Sequence, residues 1–145
     1  MRRFAILVVL FSLALSFLAS RVQAERPPQF RKEAMLIVSG TVKTLTSKDS
    51  PYVDTDTHVR LGTLTEYTAE IVVKSVEKGE KVRVGDTIKV YWFHVTTLTG
   101  KAFGGAVGHG YPLKEKSQAR FWLMEGAEDS WTIIYNKDGV EIIKK

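Results

Sequence analysis

Tyr67-Thr68-Ala69-Glu70-Ile71-Val72-Val73-Lys74-Ser75-Val76 is the stretch on which the fold turns. Tyr67, Ala69, Ile71 and Val73 share one parity, Thr68, Glu70 and Lys74 the other, and Val76 ends the run. Apolar side chains at every second residue mark a strand with one face buried and one in water.

Upstream, Met35, Ile37, Ser39, Thr41 and Lys43 alternate with Leu36, Val38, Gly40, Val42 and Thr44, which predicts a second strand over 34–45. Gly40 inside it predicts a bulge or bend, the device that carries a strand round the corner of a small barrel. Residues 46–57 are polar and contain Asp49, Pro51, Asp54 and Asp56, so a loop or wide connection is expected. Val59, Leu61 and Thr63 then alternate with polar neighbours.

Downstream, Lys78-Gly79 and Gly85-Asp86 bracket a turn. Residues 87–98 are apolar on both parities, with Ile88, Val90 and Trp92 against Tyr91, Phe93 and Val95, which predicts burial on both faces. Five glycines make 100–110 a loop. A strand is expected at 119–124, and a terminal hairpin from 131–135, the Asn136-Lys137-Asp138-Gly139 turn and 140–143. Helical periodicity is missing after residue 24. The expected class is therefore all-β, a single domain over 34–145 forming a small β-barrel, with a small β-sandwich as the alternative.

The N-terminus carries an address. Arg2 and Arg3 precede a sixteen-residue apolar run over 4–19, broken by Ser12 and Ser16, and Val22-Gln23-Ala24 stands before Glu25. A basic start, a short apolar core and small residues at minus three and minus one describe a signal peptide over 1–24, cut between Ala24 and Glu25. Retention as an anchor is the competing reading, but crossing the hydrocarbon core takes about 20 apolar residues. Either outcome leaves the basic end inside and the domain outside. The expected location is secreted or periplasmic, without stable membrane insertion after cleavage. Residues 25–33 hold Pro27-Pro28 and several charges, and read as a flexible leader.

The formal charge of +5 over 145 residues includes Arg2, Arg3 and Arg21, which leave with the signal; eighteen basic residues then face sixteen acidic ones. Nucleic acid is not an expected partner, because it demands a concentrated basic patch. With no cysteine in the chain, disulfides, thiol nucleophiles and thiolate zinc sites are excluded. Asn136 is followed by Lys137-Asp138, so no glycosylation sequon exists, and a bacterial envelope setting fits.

The segments Leu36-Ile37-Val38-Ser39-Gly40-Thr41-Val42, Tyr67-Thr68-Ala69-Glu70-Ile71-Val72-Val73, Val76-Glu77-Lys78-Gly79 and Gly85-Asp86-Thr87-Ile88-Lys89-Val90 resemble, in that order, the secreted OB-fold domains of the netrin-like group. That group includes the tissue inhibitors of metalloproteinases. The resemblance spans most of 34–124 and implies an OB-like barrel. It transfers no inhibitory residue, since those inhibitors act through an N-terminal cysteine and disulfides.

Three histidines stand out. Asp54-Thr55-Asp56-Thr57-His58 sets three ligand-type side chains at alternating positions, but the same letters make an ordinary polar loop, so Asp54, Asp56 and His58 are only candidates for a metal. His94 follows Trp92 on one strand face, where a structural histidine is the default. His109 lies between Gly108 and Gly110, and with Tyr111 it offers a hydrogen bond and an aromatic wall if the loop folds over a ligand. His109, Tyr111 and His94 are therefore the candidate ligand-binding residues. The glycines match no phosphate-binding fingerprint, no histidine is followed by glutamate, and Gly-x-Ser-x-Gly is missing. No catalytic residue and no cofactor is assigned. Trp92 and Trp122 are expected inside. The leading expectation is an exported non-enzymatic binding domain for a protein, glycan or other envelope component. The alternative is a metal-dependent or acid/base hydrolase using Asp54, Asp56 and His58.

Overall fold

In the computed structural model, the residues described are 27–54, 56–97 and 107–144. The signal peptide, its cleavage point at Ala24 and Glu25, and most of the glycine-rich stretch lie outside them. Six strands follow a 3-10 turn at Arg31–Glu33: β1 Leu36–Val53, β2 Arg60–Lys78, β3 Thr87–Thr97, β4 Gln118–Glu125, β5 Trp131–Ile133 and β6 Val140–Ile142. The chain is all-β, as its periodicity implies.

β2 lies between β1 and β3, both antiparallel to it; β3 runs parallel to β5, β5 antiparallel to β4, and β4 antiparallel to β1. The order β1-β2-β3-β5-β4 thus returns to β1 and closes the sheet into a small barrel-like ring. Its thinnest seam is β3 to β5, where only Val90 with Trp131 and Tyr91 with Thr132 pair.

Parity sorts the side chains. Ala69, Ile71 and Val73 of β2 are fully buried beside Leu36, Val38, Phe121, Leu123 and Val90. Gly40 sits at a register shift in β1, and a β-carbon there would lie 2.5 Å from Ile71 Cγ2 and 2.7 Å from the Val72 carbonyl oxygen. The bend read from Gly40 is a place where two strands approach too closely for any side chain.

Four expectations need correction. Residues 46–53 are strand rather than loop, because β1 and β2 stay paired out to Val53 and Arg60. Lys48 faces Glu66 and Thr46 faces Thr68 across this arm, cross-strand pairs worth about 0.2–1 kcal/mol each. Beyond Val42 no second strand flanks β1 among the described residues, and Lys43, Lys48, Asp49 and Pro51 blunt that open edge against foreign strands.

β3 is not buried on both faces over its first half. Ile88, Val90 and Trp92 point inward while Lys89 and Tyr91 are exposed. Phe93 and His94 are half-buried, because 107–109 pairs with this end of the strand.

The terminal hairpin does not form. β5 and β6 both pair with β4, at 123–125 and 119–121 respectively, so they run end to end along one neighbour instead of beside each other. The Asn136 to Gly139 turn is an excursion between them; Ile134 N donates to Trp122 O and Trp122 N to Gly139 O, each at 3.0 Å.

The leader, within the described residues, is tied down. Gln29 N donates to Tyr135 O at 3.0 Å, Tyr135 N donates back to Gln29 Oε1 at 2.8 Å, and Asn136 Nδ2 donates to Gln29 O at 2.9 Å. Arg31 stacks 3.7 Å over Trp122 and donates to Asp138 O. Trp122, buried as expected, therefore lies outside the barrel wall with Ala34 and Ile134, while Trp92 lies within it.

The β4–β5 connection carries strain. Ser130 N donates to Ala127 O at 3.1 Å, and the central residues Glu128 and Asp129 have φ of 52° and 55°. Left-handed φ at both centres suits Asn-Gly, and costs an ordinary L-residue roughly 1–2 kcal/mol. The double substitution Glu128→Asn, Asp129→Gly is expected to raise Tm by about 4–8 °C in a thermal melt. An unchanged or lower Tm rejects the strain.

Candidate functional site

Tyr67 on β2 and Trp92 on β3 are direct cross-strand partners on the inner face. Their rings stack with centroids 5.0 Å apart and planes 6° from parallel. Trp92 is 8% exposed. Just past it β3 gains a new partner: Val95 N donates to Val107 O at 2.7 Å and His109 N to Phe93 O at 3.0 Å. Gly108 makes this approach possible, with φ of +63° and a would-be β-carbon 2.0 Å from Phe93 O.

This short ladder delivers the predicted residues to one place. Tyr111 packs edge-on against Trp92, centroids 6.3 Å apart, and His109 lies 6.4 Å from Tyr111 and 5.2 Å from Tyr135. His94 adjoins Gly110, whose β-carbon would be 3.4 Å from His94 Nδ1. Two phenols hold the arrangement. Tyr111 Oη donates to Asn136 O at 2.5 Å, and Tyr135 Oη accepts from Val107 N at 3.1 Å. Burial, and then the charge of Asp138, push the Tyr111 phenol above its ordinary range, so it stays protonated as a donor.

His109, Tyr111 and His94 thus gather at one end of the barrel. Tyr67, Trp92 and Tyr135 join them. One polar atom in this cluster is unsatisfied: Trp92 Nε1 is buried and has no hydrogen-bond acceptor among the described residues. A buried donor without a partner costs about 1–3 kcal/mol. Among the described residues the cluster offers aromatic rings and one buried indole N–H without an acceptor.

Asp54, Asp56 and His58 stand apart at the tip of the β1–β2 arm. Asp54 Oδ1 accepts from Asp56 N at 3.0 Å, Thr57 N at 2.7 Å and Thr57 Oγ1 at 2.9 Å, so its carboxylate serves its own turn. Among the described residues no group of three acidic or histidine side chains could hold a metal ion. The backbone and hydroxyl bonds from Thr57 lower the Asp54 pKa below 3.8. A depressed carboxyl stabilises the folded turn above its unfolded value and loses that contribution as pH falls through the folded one. The Thr57 amide resonance is therefore expected to titrate with a midpoint below the ordinary aspartate value. A midpoint at or above 3.8 contradicts the capping bonds.

A concavity of about 520 Å³ lies near the start of β3, between the β2–β3 and β4–β5 connections, lined among others by Lys81, Asp86, Lys89, Glu125 and Trp131. Three of its charges are used locally, since Lys81 pairs with Glu125 and Asp86 accepts from Arg83 N at 2.8 Å. No helix among the described residues is long and apolar enough to cross a membrane. Set against known protein families, curated proteins and solved structures, the chain finds no match in any of the three.

Proposed function

We propose that this chain is an exported, non-enzymatic binding module whose ligand, a component outside the cytoplasm, docks at the aromatic end of the barrel formed by Tyr67, Trp92 and Tyr111, flanked by His94 and His109. The residues over 1–24 support export. The observation that carries the binding reading is the Trp92 indole N–H, buried among stacked rings and lacking an acceptor among the described residues. Unsatisfied buried donors call for an explanation, and an absent ligand group is one that also accounts for the surrounding rings. Netrin-like inhibitory chemistry has no counterpart, because the chain contains no cysteine.

The test presents the purified exported protein to arrays of glycans and envelope proteins, in parallel with a hydrolase substrate panel. Saturable binding that Tyr67→Ala weakens, with the thermal melt still cooperative, supports the reading. Turnover on the panel with no saturable partner overturns it.

A further inference from the structure

We propose that the concavity at the start of β3 is a second binding site, for an apolar α-amino acid in its free zwitterionic form, whose ammonium meets Glu128 and Asp129, whose carboxylate meets Lys89, and whose side chain lies toward Trp131. It is separate from the aromatic end, and neither reading rests on the other. The space measures about 520 Å³, a size that holds small ligands. Of its lining residues the buried ones are Val82, Ile88 and Trp131, each 7% exposed, and Ser130, whose hydroxyl is taken by Ala127 O. Lys89, Glu128 and Asp129 are exposed. The concavity thus has an apolar floor and a charged rim open to water.

The charges of the rim fall into two groups. Lys81 and Glu125 reach toward each other from the β2–β3 and β4–β5 connections and pair, and Asp86 is turned back onto Arg83 N. Lys89, Glu128 and Asp129 make no ion pair and no side-chain hydrogen bond among the described residues. Glu70, the neighbour of Lys89 across β2, is engaged by Lys43 at 3.6 Å instead. The parallel pairing of Val90 with Trp131 brings Lys89 level with Ser130, the residue after Asp129. Opposite charges therefore stand on adjacent walls of one cavity without closing on each other, while Lys81 and Glu125 on the same cavity do close.

That sign pattern selects the ligand. A simple amine would leave Lys89 unanswered and set a second positive charge beside it, and a simple carboxylate would do the same to the two acids. A molecule with both charges makes a charge-assisted hydrogen bond on each wall. An α-amino acid carries them on one carbon and sends its side chain away from both, which matches a charged rim above an apolar floor. The turn agrees with this use. Glu128 and Asp129 hold φ of 52° and 55°, a conformation that Asn-Gly would adopt at less cost. The strain keeps two carboxylates at the mouth of the cavity, and strained residues gather at ligand clamps.

The experiment titrates the purified exported protein, labelled with nitrogen-15 and read by NMR, with three probes that share a phenyl group. L-Phenylalanine carries both charges, 2-phenylethylamine only the ammonium, and 3-phenylpropionate only the carboxylate. The expected result is saturable movement of the amides at 87–89 and 128–131 with L-phenylalanine, and binding about tenfold weaker for each single-charge probe, the equivalent of one lost charged contact. Lys89→Met, which keeps the stem of an exposed side chain, is expected to cost L-phenylalanine the same factor while 2-phenylethylamine loses nothing. The double variant Glu128→Asn, Asp129→Gly is expected to melt higher and to lose the L-phenylalanine shifts, whereas a turn with a merely structural role would keep them. Either single-charge probe binding as tightly as L-phenylalanine, movement only at the aromatic end, no saturable movement with any probe, or undiminished binding by the double variant overturns the proposal. None of these outcomes touches the Tyr67→Ala test of the aromatic end, so the two readings fail separately.

Discussion

Gly40→Ala is expected to lower Tm by about 4–12 °C, and Gly40→Val to prevent cooperative folding. A β-carbon at 40 would sit 2.5 Å from Ile71 Cγ2 and 2.7 Å from the Val72 carbonyl oxygen. The isoleucine methyl can rotate away at modest cost. The carbonyl belongs to β2 and moves only if the ladder between β1 and β2 opens. Gly40 is also the point where β1 still pairs with both neighbours, facing Val73 on β2 and Ala119 on β4. Pushing β2 outward there strains the ring at its double-sided strand. Overpacking of this kind costs roughly 1–3 kcal/mol, occasionally more, and a domain of this size loses about 4 °C per kcal/mol. The check is a thermal melt of both variants followed by far-ultraviolet circular dichroism. Gly40→Ala melting within a degree or two of the parent would mean that the strands have slack at this crossing.

How far the fold could be read from the chain depended on where water lay. Ala69, Ile71 and Val73 gave a clean alternation because one face of β2 meets the core along their whole length. The arm made by 46–53 and 60–66 gave only the brief alternation of Val59, Leu61 and Thr63, because much of its surface is solvated and its pairing rests on backbone bonds and short polar pairs such as Lys48 with Glu66. Periodicity reports burial, and an arm in water has little to report. Phe93 misled differently: it is apolar because Tyr135 stacks on it from a distant segment, centroids 6.3 Å apart.

The site was legible in part. Glycines flanking His109, with Tyr111 two residues on, marked a segment able to come close to another backbone, and Gly108 does so against Phe93. The Tyr67–Trp92 stack was hidden. It needs the register of β2 against β3, and the ladder between them opens at Val72 and Thr87, leaving a fourteen-residue connection whose length fixes no register. β5 and β6 were misread for a related reason. Two short apolar runs around an Asn-Lys-Asp-Gly turn look like a hairpin, and nothing local says that both will pair with a third strand.

That third strand is where the largest loss is expected. Phe121→Ala should destabilise the protein by about 3–5 kcal/mol, the range for removing a fully enclosed phenylalanine, and lower Tm by about 12–20 °C. Phe121 has no exposed surface, faces Val38 across β1 and Val140 across β6, and packs in the barrel core. β4 joins β1, β5 and β6, so a cavity behind it weakens three ladders together. Trp122, the next residue, supplies the control. It is nearly as buried, at 4%, but on the opposite face, held under Ala34 and between the guanidinium groups of Arg31 and Arg120. Trp122→Ala is expected to raise hydrogen exchange chiefly at 29–35 while the amides of 69–73 keep their protection; Phe121→Ala should expose both sets. Equal exchange profiles for the two variants would mean that the barrel and the segment strapped across it unfold as one unit, and that the wall of β4 does not separate two cores.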